Sequence, residues 1–162
     1  MADQQEVDEA VETLRAANGS LELTLLKCSS AYPAPLDTLN LREIRSLAER
    51  YGVPVGLSDH TRSDTPAIVA LGLGATLFEK HLKLDDDTAT PDHEFSLDPA
   101  SFQRWSNAIR QAVGCLGDGA IAPNTSERST MRFRRSLFVV RAMKAGEIFT
   151  EANVRSIRPS DG

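Results

Sequence analysis

Two of the three histidines follow short apolar segments at matching places in the sequence. His60 lies in the polar run 58–61 after the apolar residues 53–57, and His81 comes directly after the strand-like run 75–80. Ends of neighbouring parallel strands lie about 4.8 Å apart, which is close enough for two imidazoles to bind one metal ion. Two histidine ligands leave coordination positions open, as a catalytic metal requires and a structural zinc does not.

The same histidines have a simpler interpretation, in which each one only caps a strand end through a backbone hydrogen bond. Spacing alone leaves ligation and capping open. It also does not identify the metal, because two imidazoles with open positions suit Mn, Co, Ni or Zn. Lys80 and Lys83 are candidate anion ligands, with pairing to neighbouring groups as the alternative. We expect a surface role for His93 and a solvated loop for the acidic run 85–87, which lacks the ligand spacing of an EF-hand.

Alternating strands and helices are predicted to position these residues. The apolar periodicity favours strands at 21–29, 53–57 and 75–80. Helices are predicted at 3–18, from Asp37 or Thr38 to Gly52, from Asp64 or Thr65 with Pro66 to Gly72 and Gly74, and from Asp98-Pro99 with an inner stripe of Phe102, Trp105, Ile109 and Val113 to Gly117 and Gly119. Such alternation is typical of right-handed βαβ units in a parallel sheet. The spacing suits a (β/α)-barrel or a doubly wound sheet, and no G-x-G-x-x-G turn supports a dinucleotide fold.

Composition narrows the class of protein. The 162 residues carry a formal net charge of −5, with 41% hydrophobic and 25% charged residues, as in an ordinary globular protein. Nucleic-acid binding is not expected, since the one tight basic cluster, 132–135, is best explained as a solvated linker. No apolar run approaches the length needed to cross a membrane. Cys28 and Cys115 fit no disulfide framework, so a reducing cytoplasm is the expected compartment.

The character of the sequence changes after residue 117. Residues 117–131 are rich in Gly, Pro, Asn and Ser, whereas 136–142 and 154–158 are β-prone and contain too little apolar material for a complete domain. We therefore expect an α/β domain over 1–117, a linker over 118–134 and an incomplete β segment over 135–162.

Several motifs, in order over nearly the whole chain, resemble the N-acetylneuraminate and pseudaminate (sialic acid) synthase family. These are LKCSSAYPAP at 26–35, GVPVGLSDHT at 52–61, EKH at 79–81, PDH at 91–93, RRSL at 134–137, KAGE at 144–147 and NVRSIRP at 153–159. The resemblance implies the C-terminal portion of a (β/α)8 TIM barrel over 1–117, with the sixth to eighth strands, and the start of an antifreeze-like (SAF) domain over 135–162. The loop at 31–35, Phe95 and the run 134–140 look closest to pseudaminate synthases, while His93 is closer to the neuraminate pattern.

The resemblance also implies an activity. Family members condense phosphoenolpyruvate with an N-acetylated amino-sugar aldehyde to give a nonulosonic acid of the pseudaminic or N-acetylneuraminic type, for surface or spore-coat polysaccharide. His60 and His81 would hold a divalent ion, commonly manganese, that orients and polarises the aldehyde, with cobalt, nickel or zinc as alternatives. Implied substrate contacts are Ser30 and Ser58 to phosphoenolpyruvate and Tyr32 and Asp92 to the sugar. Phe133 and Arg158 would act in trans in a homodimer, because the family's antifreeze-like domain reaches over the barrel of the other subunit.

The chain departs from the family in two respects. Three recognisable strands of the barrel are present, and Arg62-Ser63-Asp64 stands where the family usually has Leu-Gly after SDHT. We expect this polypeptide alone to have little or no synthase activity. The alternative is a non-catalytic module derived from the same fold, which self-associates through its open sheet edges.

Overall fold

The structure, a computed structural model, describes residues 1–84 and 90–160, so the acidic run 85–87 lies outside the described residues. The chain divides into two compact units, Met1–Asp118 and Gly119–Gly162. Among the helices of the described ranges, none is both long and apolar enough to cross a bilayer.

A three-stranded parallel sheet with helices packed on it forms the first unit. Its strands are β1 (Leu25–Cys28), β2 (Val55–Asp59) and β3 (Phe78–Lys80), and its helices are α1 (Gln4–Ala17), α2 (Glu43–Tyr51), α3 (Thr65–Gly72) and α4 (Pro99–Leu116). The strand order is β1-β2-β3, and both pairings are parallel. The predicted α/β class with a parallel sheet is confirmed.

The strand bounds differ from the predicted ones. β2 begins two residues later than predicted, at Val55, because Pro54 has no N–H to donate to a ladder. It also extends to Asp59, beyond the predicted end at Leu57, since the polar residues 58 and 59 pair with residues 79 and 80 of β3. β1 and β3 are shorter than predicted at their N-terminal ends.

The prediction that Asp37 or Thr38 caps the second helix was wrong. These residues lie in a short 3-10 helix, Leu36–Thr38, in which the Thr38 hydroxyl donates to the Pro35 carbonyl. The backbone then takes a left-handed conformation at Asn40, whose φ is 47°, and α2 begins only at Glu43. The Asn40 amide donates to the Glu43 carboxylate at 2.6 Å and so stabilises this delayed start.

Two apolar clusters hold the first unit together. The larger one joins the sheet to α2 and α3 through Ile44, Val55, Leu57, Ala70 and Ala75, all buried. The smaller one joins α3 to α4 through three buried residues, Ala67, Trp105 and Ile109. Val113, predicted on the same inner stripe of α4, is 52% exposed, so the buried stripe ends one turn earlier than predicted.

The second unit contains a two-stranded antiparallel sheet. A 3-10 helix, Arg128–Phe133, precedes β4 (Ser136–Val139) and β5 (Val154–Ile157). The run predicted as a linker at 118–134 therefore contains helical structure, and the β-prone run 136–142 forms a strand only as far as Val139. Asn153, 1% exposed, accepts from the Thr150 N–H and donates to the Ile148 carbonyl, which closes the turn before β5.

Gly56, in the middle of β2, permits a close approach of the chain that leads into β3. A Cβ built at this position lies 2.3 Å from the Leu77 carbonyl oxygen and 2.6 Å from a methyl of Leu26. The first of these is a backbone atom, so it cannot move aside without displacing the chain before β3. Only a glycine fits here without a shift of the strand that carries His81.

The close approach at Gly56 gives a testable prediction. Gly56→Ala should lower the free energy of unfolding by about 1–3 kcal/mol through overpacking. Gly114→Ala is the matched control: it lies in α4 with nothing within 4 Å of a built Cβ, so the added methyl should stabilise by about 0.5–1 kcal/mol. Urea unfolding followed by Trp105 fluorescence measures both. Equal effects of the two substitutions would contradict the close approach.

Candidate active site

The register of β2 against β3 sorts the strand-end residues into two faces. Ser58 lies opposite Glu79, and Asp59 lies opposite Lys80. Because side chains alternate along a strand, residues 58 and 60 share one face with residues 79 and 81, while 59 and 80 point to the other. On the first face, the Ser58 hydroxyl donates to a Glu79 carboxylate oxygen at 2.6 Å.

The two histidines lie side by side at the carboxyl edge of the sheet. Their ring centroids are 5.1 Å apart, with an interplanar angle of 68°. His60 is 5% exposed, and its Nδ1 lies 3.2 Å from the Ser29 carbonyl oxygen and 3.8 Å from the Cys28 sulfur. His81 is partly exposed, and its Nδ1 lies 3.5 Å from an Asp92 carboxylate oxygen.

This arrangement fits two metal ligands. Histidines that bind a metal commonly direct their other ring N–H to a carbonyl or a carboxylate, which fixes the ring. Here the Nδ1 atoms of His60 and His81 face such oxygens, on Ser29 and Asp92 respectively, so Nε2 is the atom left for a metal. Over residues 1–84 and 90–160, no group of three or more His, Cys, Asp or Glu side chains is placed to hold an ion. The described part of the chain thus offers the two histidines as candidate ligands.

Aromatic rings surround the histidine pair. Phe95 is 3% exposed, and its ring centroid lies 4.9 Å from that of His81 and 5.8 Å from that of His60. Tyr32, in the loop after β1, lies 4.6 Å from His60 and 5.2 Å from Phe95 by the same measure. Tyr32 is 54% exposed, so it presents one side to solvent beside the pair.

Behind the pair, on the other face of the sheet, lies a buried ion pair. The Lys80 ammonium is 2.9 Å from an Asp59 carboxylate oxygen, and both side chains are 1% exposed. Lys80 also donates to the Thr61 carbonyl, and the second Asp59 oxygen accepts from the Thr61 N–H at 2.9 Å. Of the two interpretations of Lys80, anion ligand and paired cation, the structure shows the paired one.

The predicted site residues divide by location. Tyr32, His60, His81 and Asp92 come together, and Ser58 lies two residues before His60 on the same face. Ser30 is exposed on the loop after β1 and lines a cavity of about 630 Å³ whose other lining residues include Gln4 and Glu43. Phe133 and Arg158 belong to the second unit, where both are exposed.

Phe95 and Asp59 are the residues at this site to which sequence reasoning gave no role. Phe95 was noted only as a subfamily marker, yet it contacts both histidines. The available signal was an aromatic residue inside an otherwise polar loop, 90–96, next to the predicted sugar contact Asp92. Asp59 gave a weaker signal in the sequence, a carboxylate directly before His60. Its pairing with Lys80 follows from the register of β2 and β3.

The chain is similar to a set of bacterial synthases. The NeuB family profile matches residues 1–121. The chain is 43% identical over 141 residues to pseudaminic acid synthase of Campylobacter jejuni, which covers 87% of this chain and 41% of that protein. It is 38% identical over 165 residues to the N,N'-diacetyllegionaminic acid synthase of that species, covering all of this chain and 49% of the relative. The chain therefore spans less than half the length of either relative.

A solved structure gives the same result for the fold. The crystal structure of N-acetylneuraminic acid (sialic acid) synthetase from Leptospira borgpetersenii, in complex with citrate, superposes with a TM-score of 0.72 at 28% identity. The match covers 81% of this chain and 45% of that protein.

The packing of Phe95 against both histidines gives a second prediction. Phe95→Ala should lower the free energy of unfolding by about 3–5 kcal/mol, because it removes a buried ring. Leu82→Ala is the control on the neighbouring segment, since Leu82 is 58% exposed, and its effect should stay within about 0.5 kcal/mol. Denaturant unfolding compares the two variants. A Phe95→Ala variant as stable as the Leu82→Ala variant would show that the ring is not packed on the pair.

Proposed function

The chain belongs to the NeuB family, and from that premise we propose that it carries the metal-binding part of a phosphoenolpyruvate-dependent synthase. The proposed reaction joins phosphoenolpyruvate to an N-acetylated amino-sugar aldehyde and gives a nonulosonic acid. The observation that carries the proposal is the His60–His81 pair, with ring centroids 5.1 Å apart and Nδ1 atoms directed at oxygens. The names of the similar synthases support an acid sugar of the pseudaminic, legionaminic or sialic type as the product.

We propose that β1, β2 and β3 are the last three strands of a (β/α)8 barrel. Their parallel order and the likeness to a sialic acid synthetase structure support this. We further propose that residues 135–162 begin an antifreeze-like domain that acts on the other subunit of a homodimer. Phe133 and Arg158 would then reach the sugar of the partner's site, and their exposure in the second unit agrees with such a role.

His60 and His81 are the proposed ligands of a divalent ion, with manganese first and cobalt, nickel or zinc as alternatives. When bound, the ion supplies Lewis-acid polarisation of the sugar aldehyde. The chain's own groups do the rest. Asp92 holds the His81 ring and is exposed enough to accept from a sugar hydroxyl. Tyr32 offers its exposed face to the sugar.

The bond changes proposed for the reaction balance without a redox partner. The enol carbon C3 of phosphoenolpyruvate bonds to the aldehyde carbon, whose oxygen takes up a proton. Water then adds at C2, and the C2–O bond to phosphate breaks, which releases inorganic phosphate and leaves a 2-keto acid. Ser58 and Ser30, at the ends of two neighbouring strands, are the proposed contacts to phosphoenolpyruvate, and Ser58 would turn its O–H away from Glu79 to donate there.

A second candidate function, a self-associating module without catalysis, is favoured by the sheet edges. Among the described residues, β1 and β3 each pair only with β2, so each has a row of backbone groups available to another chain. The two functions differ in a direct way, because only the first requires His60 and His81 to be ligands.

A chimera tests the proposed function. The part of Campylobacter jejuni pseudaminic acid synthase that precedes its match to this chain is fused to residues 1–162, and phosphate release from phosphoenolpyruvate is measured with manganese and an acetamido-sugar. We expect activity that is abolished by a chelator. His60→Ala and His81→Ala should each lower it about 100-fold or more, because Lewis-acid stabilisation contributes several kcal/mol.

His93→Gln is the matched control in the same chimera. His93 is the third histidine, and a glutamine oxygen can still accept from Lys83, whose ammonium lies 2.9 Å from the His93 ring nitrogen. This variant should keep its activity. A folded chimera that is inactive, or one that stays active after both ligand substitutions, would contradict the proposed function and favour the interaction module.

A further inference from the structure

We propose that Lys80 is a positioning residue that fixes His60 relative to His81 through its buried ammonium. The role of the bound ion rests on the proposed function above. The hydrogen bonds of Lys80 to Asp59 and Thr61, here called the Lys80 clamp, are a property of the metal-free chain. Lys80 immediately precedes His81 in the chain, and its side chain bonds to Asp59 and Thr61, the two residues next to His60. One residue is therefore linked to both histidines.

The clamp consists of three hydrogen bonds among Lys80 and the two residues that flank His60 in sequence. Lys80 donates to an Asp59 carboxylate oxygen at 2.9 Å and to the Thr61 carbonyl. The other Asp59 oxygen accepts from the Thr61 N–H at 2.9 Å. The Asp59 side chain and the Thr61 backbone, one on each side of His60 in sequence, are therefore tied to a single cation. A displaced cation would leave the Thr61 carbonyl and the Asp59 carboxylate without this donor, and we expect the His60 backbone to shift with them.

Lys80 acts from the side of the sheet opposite to the proposed substrate. Residues 55, 57 and 59 alternate to one face of β2, and Val55 and Leu57 there belong to the apolar cluster against the helices. Asp59 and Lys80 lie at the end of that apolar layer, with side chains 1% exposed. A residue enclosed in this way holds other groups in place and does not touch a substrate.

The free-energy cost of burying the Lys80–Asp59 ion pair supports a role for Lys80 in positioning rather than in stability. Replacing a buried ion pair with apolar residues of similar volume is often neutral or stabilising, so stability alone does not favour charge at this place. An ammonium has three donors, which lets Lys80 serve a carboxylate and a carbonyl together. Charge-assisted hydrogen bonds of this kind are shorter and stronger than neutral ones, which suits a fixed alignment.

A further contact connects the clamp to the loop that carries Tyr32. The Ala34 N–H donates to the His60 carbonyl at 2.9 Å. This carbonyl belongs to the same peptide group as the Thr61 N–H, which bonds to Asp59. A fixed His60 backbone therefore also fixes this loop at Ala34, two residues after Tyr32, whose ring packs on the His60 ring. Loss of the Lys80 clamp is expected to loosen Tyr32 as well as the histidine pair.

The test removes the cation without leaving a buried charge unpaired. In the double variant Asp59→Asn/Lys80→Met, the asparagine oxygen can still accept from the Thr61 N–H, and only the bonds made by Lys80 are lost. Two properties of the full 162-residue chain are measured: nuclear Overhauser contacts between the His60 and His81 rings without metal, and Mn²⁺ affinity by calorimetry. We expect the ring contacts to weaken and the affinity to fall about 10- to 100-fold, as for other partners of metal ligands.

Lys27 and Glu43 provide the matched control. They form a lysine–carboxylate pair at 2.5 Å from β1 to α2, with side chains 15% and 44% exposed. Burial acts to raise the pKa of Glu43, but the hydrogen bond and charge of Lys27, with the Asn40 hydrogen bond, outweigh it and lower the pKa. Lys27→Met/Glu43→Gln should leave ring contacts and Mn²⁺ affinity as in the wild type.

The outcomes separate this proposal from the proposed function. A folded Asp59→Asn/Lys80→Met variant with wild-type ring contacts and affinity would overturn the positioning role. Should that variant not fold, Asp59→Asn/Lys80→Gln decides, because the shorter neutral amide keeps a donor near Thr61; intermediate losses support the role, and wild-type behaviour contradicts it. If the wild type binds no Mn²⁺, the metal proposal fails, and the ring contacts alone decide the role of Lys80.

Discussion

The buried ion pair between Lys80 and Asp59 joins the ends of two parallel strands, and the candidate site depends on this junction. Both side chains are 1% exposed, at the end of an apolar layer that would exclude an unpaired charge. Pairing is possible because β2 and β3 run in a register that sets residue 59 opposite residue 80. The same register, read on the other face, sets His60 beside His81. The register of two strands thus determines both the buried ion pair and the histidine pair at the carboxyl edge of the sheet, here called the reactive edge.

The reactive edge collects residues from segments that are distant in sequence. Tyr32 follows β1, His60 follows β2, and His81 follows β3, while Asp92 and Phe95 belong to the loop beyond it. Parallel strands bring such segments together because all their carboxyl ends meet at one edge, where α/β proteins commonly bind ligands. Close packing supports the edge from below, since Gly56 lets the chain before β3 approach β2. This geometry supports the proposed role of His60 and His81 as ligands of one ion.

Sequence reasoning was effective where a pattern is local. Strand–helix alternation predicted the parallel sheet, and Asp98 before Pro99 predicted the start of α4, where the Asp98 carboxylate accepts from the Ser101 N–H. It was less effective where tertiary contacts decide. Nothing local to 36–43 shows that Asn40 takes a left-handed conformation and that α2 begins only after it. The pairing of Lys80 with Asp59, and the packing of Phe95 on two histidines, depend on strand register and loop return, which a single sequence does not specify.

The central claim, that His60 and His81 are ligands of one ion, is tested most directly by anomalous diffraction. Crystals of the chain soaked with Mn²⁺ would be measured at the manganese absorption edge. The account predicts one anomalous peak within coordination distance of Nε2 of both His60 and His81, with the Nδ1 atoms still directed at Ser29 and Asp92. A peak elsewhere, or none at these rings under Mn²⁺ concentrations that occupy other sites, would contradict it.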